Sequence, residues 1–448
     1  MDQPFLIPPC LQDWLPEDHL ARFIADVSET LDLSGICASY ERKDGRGLAA
    51  YHPLMLTRLL LYGYCVGVRS SRRIEKATYD DLAFRYLAAD QHPDHDTIAH
   101  FRREHLAELG GLFVQALRLC QQAGLVKLGV VALDGTKILA NASGQRALKH
   151  AAMEAEQQRL EALVRTMLNE VEQVDASEDA RWGQGQPEPA LPAGLARAQD
   201  RLEKLRQAKQ ELEEEARQRV NQAYYPPSKP GPKSPQDSAP RISPQEREKR
   251  KAELQRARRN AVSPTRAYNF SDPDSRLMHD NGLKRIVPSY NAQLAVDAAH
   301  QIIVAAELTQ QVNDLQQLVP MFEALRQTAG ALPETLLADA GYWDTMSIER
   351  LEREATTVLV SPDGSASKTP KRLLTNPAAQ RLRQALRQPA AQALYRLRKI
   401  TVEPVLGQIK ELRHFRRFSF RGLAQVAAEW KLVCLTHNLL KLHRCSPA

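Results

Sequence analysis

Glu403 and Lys410 stand seven residues apart in the stretch KITVEPVLGQIKELRHFRRF, residues 399–418. Seven residues is close to two helical turns, so the carboxylate and the ammonium share a face. Val402, Val405, Leu406, Ile409 and Leu412 recur beside them at helical spacing, a stripe to be buried. Gly407, four residues after Glu403, leaves the space next to the carboxylate empty, and Arg413, Arg416, Arg417 and Arg421 follow at once. A carboxylate that can hold a hard cation, a lysine on the same face and a run of arginines suit a metal-assisted reaction on a polyanion. Taken alone, the Glu–Lys pair is more often two solvated charges on an amphipathic helix. Pro404 lacks an N–H and crowds the turn before it, so the helix should begin just ahead of it with Thr401 as N-cap.

Other elements must bring partners to that helix. LGVVALD (128–134) is a short apolar run rich in β-branched residues that ends in Asp134-Gly135, a buried strand and a turn. Ile138 to Ser143 reads as the start of a second strand. ETLLA (334–338) is another strand, ending at Asp339. An Asp at such a place is as often a turn residue as a functional one. Ser271 to Arg276 is a polar turn, and Ser289–Val296 with Gln301–Leu308 form a strand hairpin around Asp297. A helix (Asn313–Ala329), the ETLLA strand, a second helix (Thr345–Glu354) and the strand TTVLVSP complete an alternation of the α/β class.

Residues 1–125 read as all-helical, with Asp96 as N-cap of TIAHFRREHLAELGGLFVQALRLCQQAG. Short helices joined by polar turns have the general shape of a helix-turn-helix module, in which Arg72, Arg73, His100, Arg102 and Arg103 would meet DNA. The other reading is a helical domain with solvated charges. Between residues 150 and 220, heptad-spaced apolar residues (Met153, Leu160, Val164, Met167, then Leu195, Leu202, Leu205, Leu212) flank a Gly/Pro linker at 182–194, an antiparallel helical hairpin. The Pro-rich basic stretch 224–264 is a spacer, or an arm for DNA or a second subunit.

Charge distribution narrows the partners. The net charge is +7, yet residues 361–448 hold 17 Lys+Arg against 4 Asp+Glu, leaving the remainder of the chain near −6. A basic block of that length attracts phosphate backbones and does not look like an apolar-anchored membrane helix. No apolar run approaches the length of a membrane span, and the acidic, Pro-broken N-terminus is unlike a signal peptide. Six scattered cysteines without C-x-x-C spacing point to a reduced, cytoplasmic protein. His92, His95 and Asp96 read as a capped turn, and Cys434 and His437 as part of a Leu-rich helix, in preference to zinc sites.

The stretch from Tyr395 to Lys441 resembles the C-terminal signature of the DDE (Asp-Asp-Glu) transposases of bacterial insertion sequences, Y-x2-R-x3-E-x6-K. Glu403 and Lys410 fit that spacing; Tyr395 and Arg398 precede Glu403 with one residue more, or Lys399 takes the arginine's place. Asp134-Gly135-Thr136-Lys137 and Asp339-Ala340-Gly341-Tyr342 are similar to the family's first and second aspartate motifs. The resemblance implies a ribonuclease H-like catalytic domain, a mixed sheet flanked by helices, over 126–145 and 265–448. It further implies an all-α N-terminal DNA-binding domain over 1–125, and leaves 146–264 as a helical-hairpin insertion. Asp134, Asp339 and Glu403 would be the catalytic and metal-holding residues for two Mg²⁺ ions, with Mn²⁺ as a substitute and Asp134 bridging. Ions about 3.5–4 Å apart clamp the attacking and leaving oxygens of an in-line displacement, and hard Mg²⁺ wants oxygen ligands. A freed 3′-OH at the element's end would then attack target DNA.

By the same resemblance Tyr395, Arg398, Lys399, Lys410, Arg413, Arg416 and Arg417 would contact DNA, and the N-terminal helices, with Arg102 and Arg103, would bind terminal inverted repeats. A homodimer around paired ends, acting at the bacterial nucleoid and away from membranes, is the implied assembly. Asp297, Asp314 and Glu307 compete for the carboxylate places, but have strand-turn or N-cap readings. The alternatives are a ribonuclease H-like nuclease that cuts without joining and a non-catalytic DNA-binding protein derived from a transposase.

Overall fold

The structure, a computed structural model, describes residues 10–41, 50–182, 193–224, 254–255, 257, 262–263, 266–280, 282–354, 356–362 and 376–445. Val130–Leu139 is the central strand, β1. The Asp-Gly pair inside it does not turn the chain as expected, because β5 (Arg285–Asp297) runs antiparallel along its whole length, from Val131↔Asp297 to Leu139↔Ser289. A backbone whose donors and acceptors are already paired gains nothing by folding back. On the other side β7 (Thr335–Ala338) pairs parallel with only the first residues of β1, and β8 (Thr357–Val360) lies parallel to β7. β4 (Arg276–Asp280), a strand the sequence does not announce and which begins at the last residue of the expected polar turn, and β6 (Ile303–Thr309) both pair antiparallel with β5. The sheet order is β4-β5-β1-β7-β8, with β6 also on β5.

Helices cover this mixed sheet. From the N-terminal region come α1 (Leu20–Thr30), α2 (Ser34–Glu41), α3 (Pro53–Val66), α4 (Ser71–Asp80), α5 (Leu82–Leu87), α6 (His95–Glu104) and α7 (Leu106–Gln122). The N-cap of α6 is Asp94, accepting from Thr97 N at 2.8 Å, two residues before the expected Asp96. These helices share one hydrophobic core with the sheet. In that core Gly110 of α7 lets the backbone at Ala428 come within 2.9 Å of where a Cβ would sit. Tyr64 of α3 donates to Glu429 at 3.1 Å. Residues Met1–Ala142 and Asp274–Ala448 accordingly form one compact unit.

The second unit is Ser143–Pro273. Its helices α8 (His150–Trp182) and α9 (Ala193–Tyr224) bury Met153, Leu160, Leu202, Leu205, Ala208 and Leu212 between them. Glu154 pairs with Lys209 (3.2 Å) and Glu161 with Arg206 (3.0 Å), an order that makes the helices antiparallel. A short ribbon of β2 (Ala147–Lys149) and β3 (Ala267–Asn269) lies at their base. Most of the 182–194 linker and of the Pro-rich stretch 224–264 lies outside the described residues.

After α10 (Leu318–Ala329), α11 (Thr345–Glu352) and α12 (Pro377–Arg387), helix α13 (Pro389–Gly407) continues straight through Pro404. The expected start at Thr401 is therefore wrong, and the reason is tertiary. Pro404 cannot donate to the Ile400 carbonyl, but the Gln301 side chain does so at 3.0 Å, so the helix loses a bond without leaving an acceptor bare. A π-helical turn (Gln408–Leu412) and α14 (Leu423–Cys445) end the chain's regular structure. No helix among the described residues is long and apolar enough to cross a membrane.

Candidate active site

β7 stops where β1 goes on. In each of their pairs the β7 residue lies 205 positions beyond its β1 partner, Val130↔Thr335 to Ala132↔Leu337. Asp134 and Asp339 share that offset, each two residues beyond the last pair of the ladder. Asp339 caps the short turn Ala340–Tyr342, accepting from Gly341 N at 2.9 Å. Asp134 accepts from Gly135 N at 2.8 Å. Burial pushes the Asp134 carboxyl up to about 6, and the Asp339 charge adds to this, while Arg398 opposes it. A carboxylate whose ionisation is opposed by burial and by a neighbouring carboxylate is a natural seat for a cation.

A third acidic residue stands close by, and it is Asp314. Its Oδ1 accepts from Asn291 Nδ2 (2.7 Å) and Gln293 Nε2 (2.6 Å), and Gln293 Oε1 in turn accepts from the Tyr342 hydroxyl. A Cβ on Gly135 would sit 2.5 Å from Asp314 Oδ1 and 2.4 Å from Gln293 Nε2, so this approach needs glycine. The expected N-cap role is not what Asp314 does; α10 begins after Gln317. The available signal was the pair of amides at alternate positions of an otherwise apolar buried strand, since buried polar groups need partners. The other two competitors are accounted for structurally. Asp297 is buried and takes the amides of Lys127 (3.1 Å), Leu128 (2.7 Å) and Ala299 (2.9 Å), while Glu307 pairs with Lys431 at 3.3 Å.

Helix α13 is held on the sheet by Val402 and Val405, with Ile409 buried just beyond it. Arg398 places a guanidinium nitrogen 3.6 Å from Asp134. The Tyr395 phenol is pushed up by burial and eased by Arg398. Lys410 donates to the Thr136 hydroxyl and, at 3.0 Å, to the Lys137 carbonyl, and burial lowers its ammonium pKa. Glu403 lies at an exposed position of α13. Among the described residues no three His, Cys, Asp or Glu side chains are grouped to hold a metal ion. Arg398 thus meets Asp134, while Asp339 and Lys410 act on Asp134 through their charges, and Tyr395 lies by Arg398.

The basic residues divide into two sets. Lys399, Arg103, Arg416 and Arg417 are exposed, Arg416 paired with Glu411. Two of the expected DNA contacts are interior instead. Arg413, 5% exposed, donates to Val433 O (3.1 Å) and Thr436 Oγ1 (2.8 Å), with burial holding its pKa down to about 10. Arg102, 9% exposed, donates to the Arg69 carbonyl. Each guanidinium donates to a backbone carbonyl inside the fold, which a count of charges along the sequence cannot reveal. A cleft of about 450 Å³ lies over Gly135, lined by Thr136, Lys137, His279, Asp314, Lys410 and Arg416 among others.

Residues 9–104 match the family described as Transposase domain (DUF772), and residues 362–443 match the Transposase DDE domain. Glu403 and Lys410 fall within the second match, whereas Asp134 and Asp339 lie outside both. No curated protein and no solved structure matches the chain. With a transposase domain toward one end and a transposase DDE domain toward the other, the chain has the domain content of a DDE transposase.

Proposed function

We propose that this chain cuts DNA at the ends of a mobile element and joins those ends to target DNA, using a site built on Asp134, Asp339 and Glu403. The observation that supports the reading is the β1–β7 register, Val130↔Thr335 to Ala132↔Leu337, whose offset of 205 positions Asp134 and Asp339 share, together with the Asp339 charge acting on Asp134. The sheet supports a ribonuclease H-like fold, with antiparallel β5 and β6 on one side of β1 and parallel β7 and β8 on the other.

The donor set suits a hard divalent cation such as Mg²⁺, because Asp134 and Asp339 offer carboxylate oxygens whose mutual repulsion a cation would relieve. When bound, such ions supply charge stabilisation for an in-line phosphoryl displacement. Glu403 is the third carboxylate in this reading. Lys410, held by Thr136 and Lys137, offers a fixed positive charge to a phosphate, and Arg398 and Tyr395 offer donors beside Asp134. The helices of residues 1–125 would bind the terminal repeats through Arg72, Arg73, His100 and Arg103, all exposed, with a second copy at the paired end.

Purified protein is to be mixed with Mg²⁺ and a plasmid carrying the gene with its flanking DNA. Cut ends and joined products are expected, and Asp134→Ala, Asp339→Ala and Glu403→Ala should each abolish both while leaving DNA retention in a gel unchanged. Cut ends without joining would make the chain a nuclease. One observation favours a non-catalytic DNA-binding protein: among the described residues no three His, Cys, Asp or Glu side chains are placed to hold one metal ion together. Retention of the plasmid with no cutting would establish that reading.

A further inference from the structure

Asp314 has no part in the three-carboxylate reading, yet it stands between the two aspartate motifs: a Cβ on Gly135 would lie 2.5 Å from its Oδ1, and one on Gly341 would lie 3.7 Å from its Oδ2. Two amides converge on it from β5, and both Asn291 and Gln293 are completely buried. An amide has a donor end and an acceptor end, so directing Gln293 Nε2 at the carboxylate leaves Oε1 facing the Tyr342 hydroxyl, which donates to it. The reverse orientation would set a carbonyl oxygen against a carboxylate. Asn291 Oδ1 is buried without a partner, so the Asp314 contact is what holds that amide too.

From this geometry we infer that Asp314 is a positioning residue for Asp339. It orients Gln293, Gln293 holds Tyr342, and Tyr342 closes the Ala340–Tyr342 turn whose first residues receive the Asp339 side chain. Gly135 is the opening through which the contact is made. The role rests on the site proposed above and adds to it a residue that lies in neither of the matched transposase domains. A carboxylate displaced by an ångström in such a site costs on the order of 100-fold in rate, so the effect should appear in kcat.

The test uses the full chain, the plasmid with the gene's flanking DNA and Mg²⁺, comparing Asp314→Ala, Asp314→Asn, Tyr342→Phe and the Asp314→Ala/Tyr342→Phe double variant. Asp314→Ala should lower kcat for cleavage about 30-fold with KM for DNA within about twofold. Asp314→Asn, which keeps an acceptor oxygen, should recover to within about threefold of the parent. The double variant should be no slower than the slower single one. Melting temperatures give a readout free of catalysis: each single variant should lose about 2–4 °C, and the double less than their sum.

Parental kcat in Asp314→Ala, or an Asp314→Asn as slow as the alanine variant, would overturn the positioning role. Asp134→Ala run alongside separates the two ideas. If it still cuts, or if the parent leaves the plasmid intact, the site reading fails. The melting cycle then decides the coupling of Asp314 to Tyr342 through Gln293, and strict additivity would refute it.

Discussion

A guanidinium nitrogen of Arg398 lies 3.6 Å from a carboxylate oxygen of Asp134, with both side chains mostly buried. Arg398 favours the charged form of that carboxyl, working against burial and against Asp339 and Asp314. Removing one partner of a buried pair leaves the other charge uncompensated, typically at about 3–5 kcal/mol and less where water reaches in. Arg398→Ala should therefore lower the melting temperature at pH 8. At pH 5, where Asp134 carries its proton, the loss should be much smaller. Equal losses at the two pH values would show that packing, and not the ion pair, is what Arg398 contributes.

Asp134 itself should be a case of function held at the expense of stability. Its carboxyl is pushed up to about 6 from 3.8, so the folded chain binds a proton more tightly than the unfolded one between those values. Ionisation then disfavours the fold, the penalty growing as pH rises from about 4 and complete above about 6. Asp134→Asn should stabilise the metal-free protein at pH 7.5 by up to about 3 kcal/mol while removing cleavage. The gain should vanish below pH 4. Denaturant titrations at three pH values read it directly.

Gln301 serves three elements at once. Its Nε2 bonds the Ile400 carbonyl (3.0 Å), its Oε1 takes Lys441 (2.7 Å), and its own carbonyl faces His437 Nε2 (3.0 Å). Gln301→Ala should cost about 1–3 kcal/mol, since it strips the acceptor that Pro404 has already left without a helical donor. Pro404→Ala restores an N–H four residues after Ile400, so the double variant Gln301→Ala/Pro404→Ala should recover most of the loss. Equal urea midpoints for the single and double variants would contradict this account of the helix.

His437 gives an acid-side prediction. Burial, aided by Arg413, lowers its pKa to about 3 from 6.5, so the ring stays neutral in the fold and donates through Nε2 to Gln301. The unfolded chain therefore binds more protons between those values, and stability is complete above about 6.5 and falls as pH drops toward 3. Near pH 5 the contribution lost is about 2 kcal/mol. His437→Gln, which keeps an N–H donor but does not titrate, should flatten the decline in melting temperature between pH 7 and pH 5. A slope unchanged from the parent would place the acid sensitivity elsewhere.

Patterns of short range were legible from the chain alone. The apolar runs ending at Asp134 and Asp339 are strands, the stripe of Val402, Val405 and Ile409 is a buried face, and the heptads of 150–220 are paired helices. These follow from side-chain period and burial, which act between near neighbours and leave their mark in composition and spacing. Local rules failed where a remote residue supplied a partner. Asp134-Gly135 looked like a turn because nothing nearby announced β5, and Pro404 looked like a helix start because Gln301, which bonds the Ile400 carbonyl, is 99 residues from Ile400.

The residue types and their order along the chain thus determined which carboxylates, lysines and arginines were available and on what kind of element each would sit. Whether they meet was settled only by the fold. The strand register gives Asp134 and Asp339 the same offset of 205 positions as the paired residues before them, packing buries Arg413 and Arg102, and a buried amide pair holds Asp314 against Gly135. The physical reason is that desolvation and hydrogen bonding depend on whichever atoms surround a group in space, and for a charged side chain those terms outweigh anything its sequence neighbours contribute.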